Sequence, residues 1–487
     1  MVPLMAMAIA ARFALLDLRR RPCSPFSSSA AAAAAASSGE ALVSDVVSLL
    51  THHRSKSRWS HLRSMCPDGL PPAAFSQIAL RLRNNAHLAL RFFLFTRRRA
   101  LCDHDLRSYA TTIHVLSRAR LKRHAQGLIR EALRISPDTK PVGVFEVLVR
   151  TYRECDSAPF VFDLLIECCL EAKKVDAALE IARLLRSRGL SPKVATLNSL
   201  ICSVSRCRGA LAGYEIYKEV FGVLNGGNVG NPKGAVRISP NVHTFNTLMT
   251  CFYQDGAAER VEEIWDEMVR SSCAPNVHSY SVLMAVYCED GKVVEAEKIW
   301  DEMRVKGIEA DVLAYNTIIA GFSESGQIER AEELAREIEL NGLESTGVTY
   351  EHLIKGYCNV GDVNSALLVY KDMCRKKFGP EPSTIHAMTV VLCGQSRVFE
   401  ALDILRGAGD NSCFLPKGKS YEVLIIRLCL EGKMEEALRL QAEMVGKGFE
   451  TNLEIYTAFI DGYEKKGNRE MVEKLRKEML DMQQKVD

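Results

Sequence analysis

The sequence predicts an all-α fold, a solenoid of stacked helix–turn–helix repeats. Three observations carry this: a 35-residue period, glycines at one fixed place of that period, and two apolar stripes of helical spacing within it. Val242-His-Thr-Phe-Asn-Thr-Leu-Met, Val277-His-Ser-Tyr-Ser-Val-Leu-Met, Val312-Leu-Ala-Tyr-Asn-Thr-Ile-Ile and Gly347-Val-Thr-Tyr-Glu-His-Leu-Ile begin 35 residues apart. Gly256, Gly291, Gly326, Gly361, Gly432 and Gly467 share the fifteenth place of their units, and Met268, Met303, Met373, Met444 and Met479 the twenty-seventh.

The unit that starts at Val277 shows why each period reads as two helices. Tyr280, Leu283, Met284 and Tyr287 form one apolar stripe, and Gly291 ends that helix where a left-handed residue is needed. Ala296, Ile299, Trp300 and Met303 form the stripe of a second helix, which Gly307 ends. Neither helix can bury its stripe alone, so neighbouring units must stack. A small residue at the twentieth place (Ala178, Ala296, Ala331, Ala366, Ala401, Ala437) suits close approach of the paired helices.

Composition fits. Of 487 residues, 47% are hydrophobic and 25% charged, which excludes a disordered or collagen-like chain. No run of about 18 apolar residues suggests a membrane span. Sixteen cysteines with no C-x-x-C spacing read as free thiols of a reduced compartment rather than a disulfide framework.

Along the chain, residues 1–39 hold Arg12, Arg19, Arg20 and Arg21 with one acid, Asp17, then Ser27–Ser29, Ala30–Ala36 and Ser37–Ser38. Arg-rich, Ser-rich and acid-poor is the make-up of an organellar transit peptide, expected to be disordered; the mitochondrion is the first expectation and the plastid the alternative. Residues 40–105 read as a helical N-terminal region and 106–158 as degenerate repeat-like helices. Nine units follow over 159–487: 159–193, 194–241, 242–276, 277–311, 312–346, 347–381, 382–417, 418–452 and 453–487. The second carries a Gly- and Asn-rich loop insertion near 225–236, and the seventh is irregular, with Pro382, Ile385 and Ser396 at places better matched elsewhere.

The Tyr-Asn-Thr-Leu-Ile-like opening, the mid-unit Gly, the second-helix Ala, the late Met and the Gly-x-x-Pro-Asp/Asn-like ending together resemble the pentatricopeptide repeat family, in its pure 35-residue class of plant organellar type. The resemblance covers about two thirds of the chain. It implies a right-handed α-solenoid that binds single-stranded RNA, one base per repeat, read by two or three side chains. In that family the fifth and the last residue of each unit face the base. The pairs carried over are Asn198 with Asn241, Asn246 with Asn276, Ser281 with Asp311, Asn316 with Thr346, and Thr457 with Asp487. Asp163 with Lys193, Glu351 with Glu381, His386 with Lys417, and Glu422 with Asn452 complete the set, with no base assigned.

Asn places a donor and an acceptor on one short planar group, which matches a pyrimidine edge, while a hydroxyl beside Asp suits the N–H edge of guanine. The implied address, 5′ to 3′, is any base, pyrimidine, pyrimidine, guanine, pyrimidine, three unassigned bases, guanine. Each matched base would contribute roughly 1–3 kcal/mol of stacking. Two departures from the family stand out. His243, His278, Ser383, Lys419 and Glu454 occupy the second place, where the family puts an aliphatic residue. At the thirteenth place only Arg206 and Lys465 are basic, against Glu171, Glu289 and Glu324.

Charge is divided as well. Residues 1–158 hold 24 Lys and Arg against 11 Asp and Glu, a balance of +13, and the remaining 39 against 49 leave −10. RNA therefore needs a focused surface or the basic N-terminal part. The other reading is a protein-binding adaptor in an organellar complex such as the ribosome, with other RNA-processing or ribosomal proteins as partners.

No phosphate loop, nucleophile elbow or H-E-x-x-H occurs, so no enzyme activity, cofactor, metal or small-molecule substrate is expected. Cys288, Cys358, Cys393 and Cys429 share the twelfth place and read as core thiols. Cys102, Asp103, His104 and Asp105 lack a second ligand pair at zinc spacing.

Overall fold

The structure is a computed structural model that describes residues 30–52, 59–135, 141–222, 238–411 and 417–483. The leader up to residue 29, the insertion at 225–236 and Asp487 lie outside these. Ala30–His52 is one helix, so residues 30–39, expected to be unstructured leader, are helical; an alanine run has the highest helix propensity.

The described residues hold α-helices, one 3-10 turn at Trp59–His61, and no strand. They divide into two compact units, up to Ala257 and from Ala258. No helix among them is long and apolar enough to cross a membrane.

In the second unit the first helices Val277–Glu289, Val312–Glu324, Gly347–Val360, Pro382–Gly394, Gly418–Leu430 and Leu453–Lys465 stack on one another in sequence order. Each also packs on the second helix of its own repeat: Val293–Val305, Ile328–Leu340, Val363–Arg375, Val398–Asn411, Met434–Gly446 and Arg469–Gln483. That makes two layers with one continuous core, as a solenoid requires. The first unit repeats the scheme in Phe160–Glu171 with Val175–Ser187 and Val194–Arg208 with Ala210–Phe221, followed by Val242–Gln254. Upstream, Leu106–Arg118 pairs with Lys122–Ile135, and Pro141–Thr151 packs between Leu106–Arg118 and Phe160–Glu171 with no second helix of its own.

Small residues set the spacing. Ala178, Ala296, Ala331, Ala366, Ala401 and Ala437 are all buried. At the same place of its unit Gly213 sits so close to the partner helix that a Cβ would fall 1.9 Å from Ser205 Oγ. Between stacked first helices, a Cβ on Gly321 would fall 2.3 Å from Cys288 Sγ. In the repeats from 242 onwards the turn between the two helices has positive φ, 72° at Gly291 and 78° at Gly326. The unit at 382 has Ser396 there at φ 60°, its hydroxyl accepting from Arg427 Nη2 at 2.7 Å.

Aromatic contacts tie two of the second helices to the next first helix. Trp265 meets Tyr280 edge-on at 5.0 Å between ring centroids, and Trp300 meets Tyr315 at 4.8 Å. The tyrosine hydroxyl then closes its own repeat. Tyr280 Oη donates to Glu302 at 3.1 Å and accepts from Lys306 Nζ at 3.0 Å, and Tyr421 does the same with Glu443 and Lys447.

Candidate nucleic-acid interface

The last residue of a repeat is the N-cap of the following first helix. Asn241 Oδ1 accepts from Thr244 N at 3.0 Å, Asn276 Oδ1 from Ser279 N at 3.1 Å, Asp311 Oδ1 from Ala314 N at 2.8 Å, and Asn452 Oδ1 from Ile455 N at 3.0 Å. Asn and Asp suit these four places because a short side-chain oxygen satisfies an N–H that the helix leaves unpaired, whereas Lys193, Glu381 and Lys417 cap with no side-chain bond. At Asn241, Asn276 and Thr346 the hydroxyl of the third helical residue completes a capping box.

The fifth residue of each repeat lies one turn into its own first helix. Asp163, Asn198, Asn246, Ser281, Asn316 and Glu351 are all buried. Asn198 Nδ2 donates to Asn241 Oδ1 at 3.2 Å, while its Oδ1 accepts from Thr244 Oγ1 at 2.8 Å. Asn316 repeats this, with Nδ2 on Thr346 Oγ1 at 3.2 Å and Oδ1 receiving Thr349 Oγ1 at 2.7 Å. Each amide thus stitches the end of its repeat to the start of the next, and the structure brings the two members of these expected pairs into contact.

The other fifth residues use different bonds. Asp163 Oδ1 accepts from Lys193 N at 2.8 Å and Glu351 Oε1 from Glu381 N at 2.7 Å. Burial pushes both carboxyls above the usual range, against the opposing pull of those N–H donors. Ser281 and Thr457 donate back to Val277 O and Leu453 O of their own helices, both at 2.9 Å. Thr457 is exposed. His386 Nδ1 lies 3.3 Å from Ser420 Oγ, and desolvation lowers its pKa. Glu454, at the second place of its repeat, shares a hydrogen bond with Glu422, which raises its pKa.

Sequence reasoning missed the third-place hydroxyls. Thr244, Ser279 and Thr349 are buried and carry the network between cap and fifth residue. Their signal is a Ser or Thr three residues after Asn241, Asn276 and Thr346, a capping-box spacing.

Charge separates the two layers. The second helices Ala258–Arg270, Val293–Val305 and Ile328–Leu340 carry 14 acids against 6 bases. The first helices Val277–Glu289 and Val312–Glu324 carry one acid each, Glu289 and Glu324. Beside the fifth residues the first-helix layer exposes Leu313 at 57% and Val348 at 46%, apolar side chains at the second place of their repeats.

The remaining candidates are structural. Burial holds the Cys288, Cys358 and Cys429 thiols at about 12 and Cys393 at about 11. His104 bonds Thr96 Oγ1 at 3.0 Å and packs against Phe75 and Phe93. Arg97 pairs with Glu131, and Arg375 with Asp372.

Comparison with known proteins fits this architecture. The model of the PPR repeat family matches residues 240–289 and 310–359, and that of the PPR repeat matches 278–308, 348–378, 419–449 and 454–483. Of two Arabidopsis thaliana relatives, the first, named a pentatricopeptide repeat-containing protein, is 54% identical over 451 residues, covering 91% of this chain and 90% of that one. The second, whose name adds "mitochondrial", is 29% identical over 33% of this chain and 30% of that one. Among solved structures, the pentatricopeptide repeat protein PPR10 from maize is 16% identical with a TM-score of 0.41, over 90% of this chain and 73% of that one. Its complex with an 18-nt PSAJ RNA element is 17% identical with a TM-score of 0.40, over 96% and 81%. The 54% identity to the first of these relatives, along nearly the whole of both chains, makes the present chain a member of the pentatricopeptide repeat family.

Proposed function

We propose that this chain is a sequence-selective, single-stranded RNA-binding protein of organellar RNA metabolism, acting on one transcript in splicing, stabilisation, processing or translation. The observation that carries the reading is the polar side chain recurring at the fifth place of otherwise apolar first helices, set beside a polar last residue. Packing alone favours an apolar group there, because a buried amide gains nothing over an apolar one unless bonded. The Nδ2 of Asn198 and of Asn316 has two hydrogens, and one is committed to the repeat junction. The second would reach a pyrimidine carbonyl, with exposed Leu313 and Val348 flanking the base as apolar walls.

The acidic second helices repel phosphate, which confines RNA to the first-helix layer. The mechanism is passive and uses no catalytic group: the bound strand is masked from nucleases or held unpaired. Several relatives bear mitochondrial names, and the Arg-rich leader supports import there, with the plastid as the alternative.

Crosslinking and sequencing of RNA bound to the tagged protein in isolated organelles tests this. Enrichment of one or two footprints containing two pyrimidines, a guanine and a further pyrimidine is expected. Recovery of ribosomal RNA alone, tracking with ribosomal subunits, would instead identify a protein adaptor whose acidic layer docks on a basic partner.

A further inference from the structure

Three helices ahead of the reading repeats end in arginines. Pro72–Arg81 is followed by Leu82 and Arg83, Leu106–Arg118 by Ala119 and Arg120, and the end of Pro141–Thr151 runs from Arg150 to Arg153. All six arginines are exposed. A helix C-terminus favours a cation, but it does so in every repeat. Four later first helices instead end in or beside acids, at Asp255, at Glu289 with Asp290, at Glu324 and at Glu431. Helix-end electrostatics therefore do not account for the arginines.

The fold gathers them. Ser108 Oγ donates to Pro72 O at 3.4 Å and joins the starts of two packed helices, so Pro72–Arg81 and Leu106–Arg118 run parallel and end on the same side. The turn after Pro141–Thr151 lies along Leu106–Arg118. Arg107 Nη2 donates to Glu154 at 3.0 Å, Arg118 Nη1 donates to Asp156 at 2.8 Å, and His114 Nδ1 lies 2.7 Å from Ser157 Oγ. Arg120 and Arg153 thus stand close in sequence to the two members of one ion pair, and Arg83 is near enough for its charge to act on Cys155. Arg83, Arg120 and Arg153 have no ion-pair partner of their own among the described residues.

A guanidinium keeps its charge at any working pH, and its planar fork matches phosphate oxygens two at a time. Among the described residues of 59–158, Ile135 is the one large apolar side chain that stands exposed, so this surface offers no apolar face to a protein or a bilayer. Pro141–Thr151 also packs against Phe160–Glu171, where the reading repeats begin.

We propose that this arginine cluster is a second RNA contact, which grips the phosphate backbone of the single strand beyond the read bases without reading sequence. It rests on the reading of the chain as an RNA-binding protein, though not on any base assignment. The cluster supplies the positive charge that the −10 balance of residues 159–487 lacks.

The test titrates the full-length protein with a labelled uridine homopolymer at several salt concentrations. The slope of log Kd against log salt should fall by about 2 in Arg83→Gln/Arg120→Gln/Arg153→Gln, three phosphate contacts at roughly 0.7 each. Arg270→Gln/Lys298→Gln/Arg336→Gln removes the same charge from exposed places on the second helices and should leave the slope as it is. Circular dichroism checks that both variants fold. An equal fall in both would be an effect of net charge and would overturn the site. An unchanged slope in the first variant, with the wild type bound, overturns this inference alone, whereas no RNA bound by folded wild type at low salt overturns the RNA reading with it. Loss of sedimentation with phosphatidylserine vesicles, in place of a changed slope, would assign the cluster to a membrane surface and contradict the proposal.

Discussion

The first and second helices of one repeat are equally long yet obey different rules. Val277–Glu289 and Val293–Val305 have 13 residues each, but the first buries eight side chains and the second four. A first helix is flanked by first helices before and after it and by its own second helix, so nearly every face is packed. A second helix buries one stripe, Val293, Ala296, Trp300 and Met303, and gives the rest to water. A polar group on a first helix must therefore find a partner, as Asn198 and Asn316 do, whereas the second helix can change charge freely. That is why bonded polar groups belong to the first layer and net charge to the second.

The sharpest way to break this contrast is to empty the second helix's only buried stripe. Trp300 is 1% exposed and its Nε1 has no hydrogen-bond partner among the described residues, so it acts by packing alone. Trp300→Ala should cost about 4 kcal/mol in urea unfolding. Because a solenoid's stability is a sum over neighbours, the loss should appear as an early partial transition.

Gly321→Val, which overfills the gap between stacked first helices, should cost about 2 kcal/mol. Gly394 has nothing within 4 Å of where a Cβ would be, and Gly394→Ala should raise stability by about 0.5 kcal/mol through helix propensity. Equal effects of the two glycine changes would refute the close-approach account.

Asn316→Ala strips Thr349, which is 1% exposed, of its acceptor and should cost about 1.5 kcal/mol. Thr457→Ala, at the same place but exposed, should stay within about 0.5 kcal/mol. The smallest effect is expected on the outer layer. Asp266→Lys with Asp301→Lys should leave the melting curve within about 0.5 kcal/mol of wild type. The same pair should strengthen salt-sensitive, sequence-independent RNA binding measured by titration at two ionic strengths.

The repeat architecture was legible because period, glycine and apolar stripe coincide in the same units. Glycine at the turn signalled Gly291 and Gly326; Ser396 hid the same left-handed turn, since a serine carries no such signal and is held there by Arg427. Trp59–His61 and Leu62–Met65 were illegible because elements this short show no periodicity. At the candidate interface the fifth and last residues could be located, but their engagement with Thr244 and Thr349 could not. That network depends on contacts between repeats, and spacing within one repeat says nothing of them.

The most direct test of the central claim exchanges one pair and reads RNA preference. Asn316→Thr with Thr346→Asp keeps a capping side chain at the last place and converts the pair to the hydroxyl–carboxylate type suited to guanine. Selection from a randomised RNA pool should show one position moving from pyrimidine to guanine with its neighbours unchanged. An unchanged preference in a folded double variant would contradict base reading by these residues.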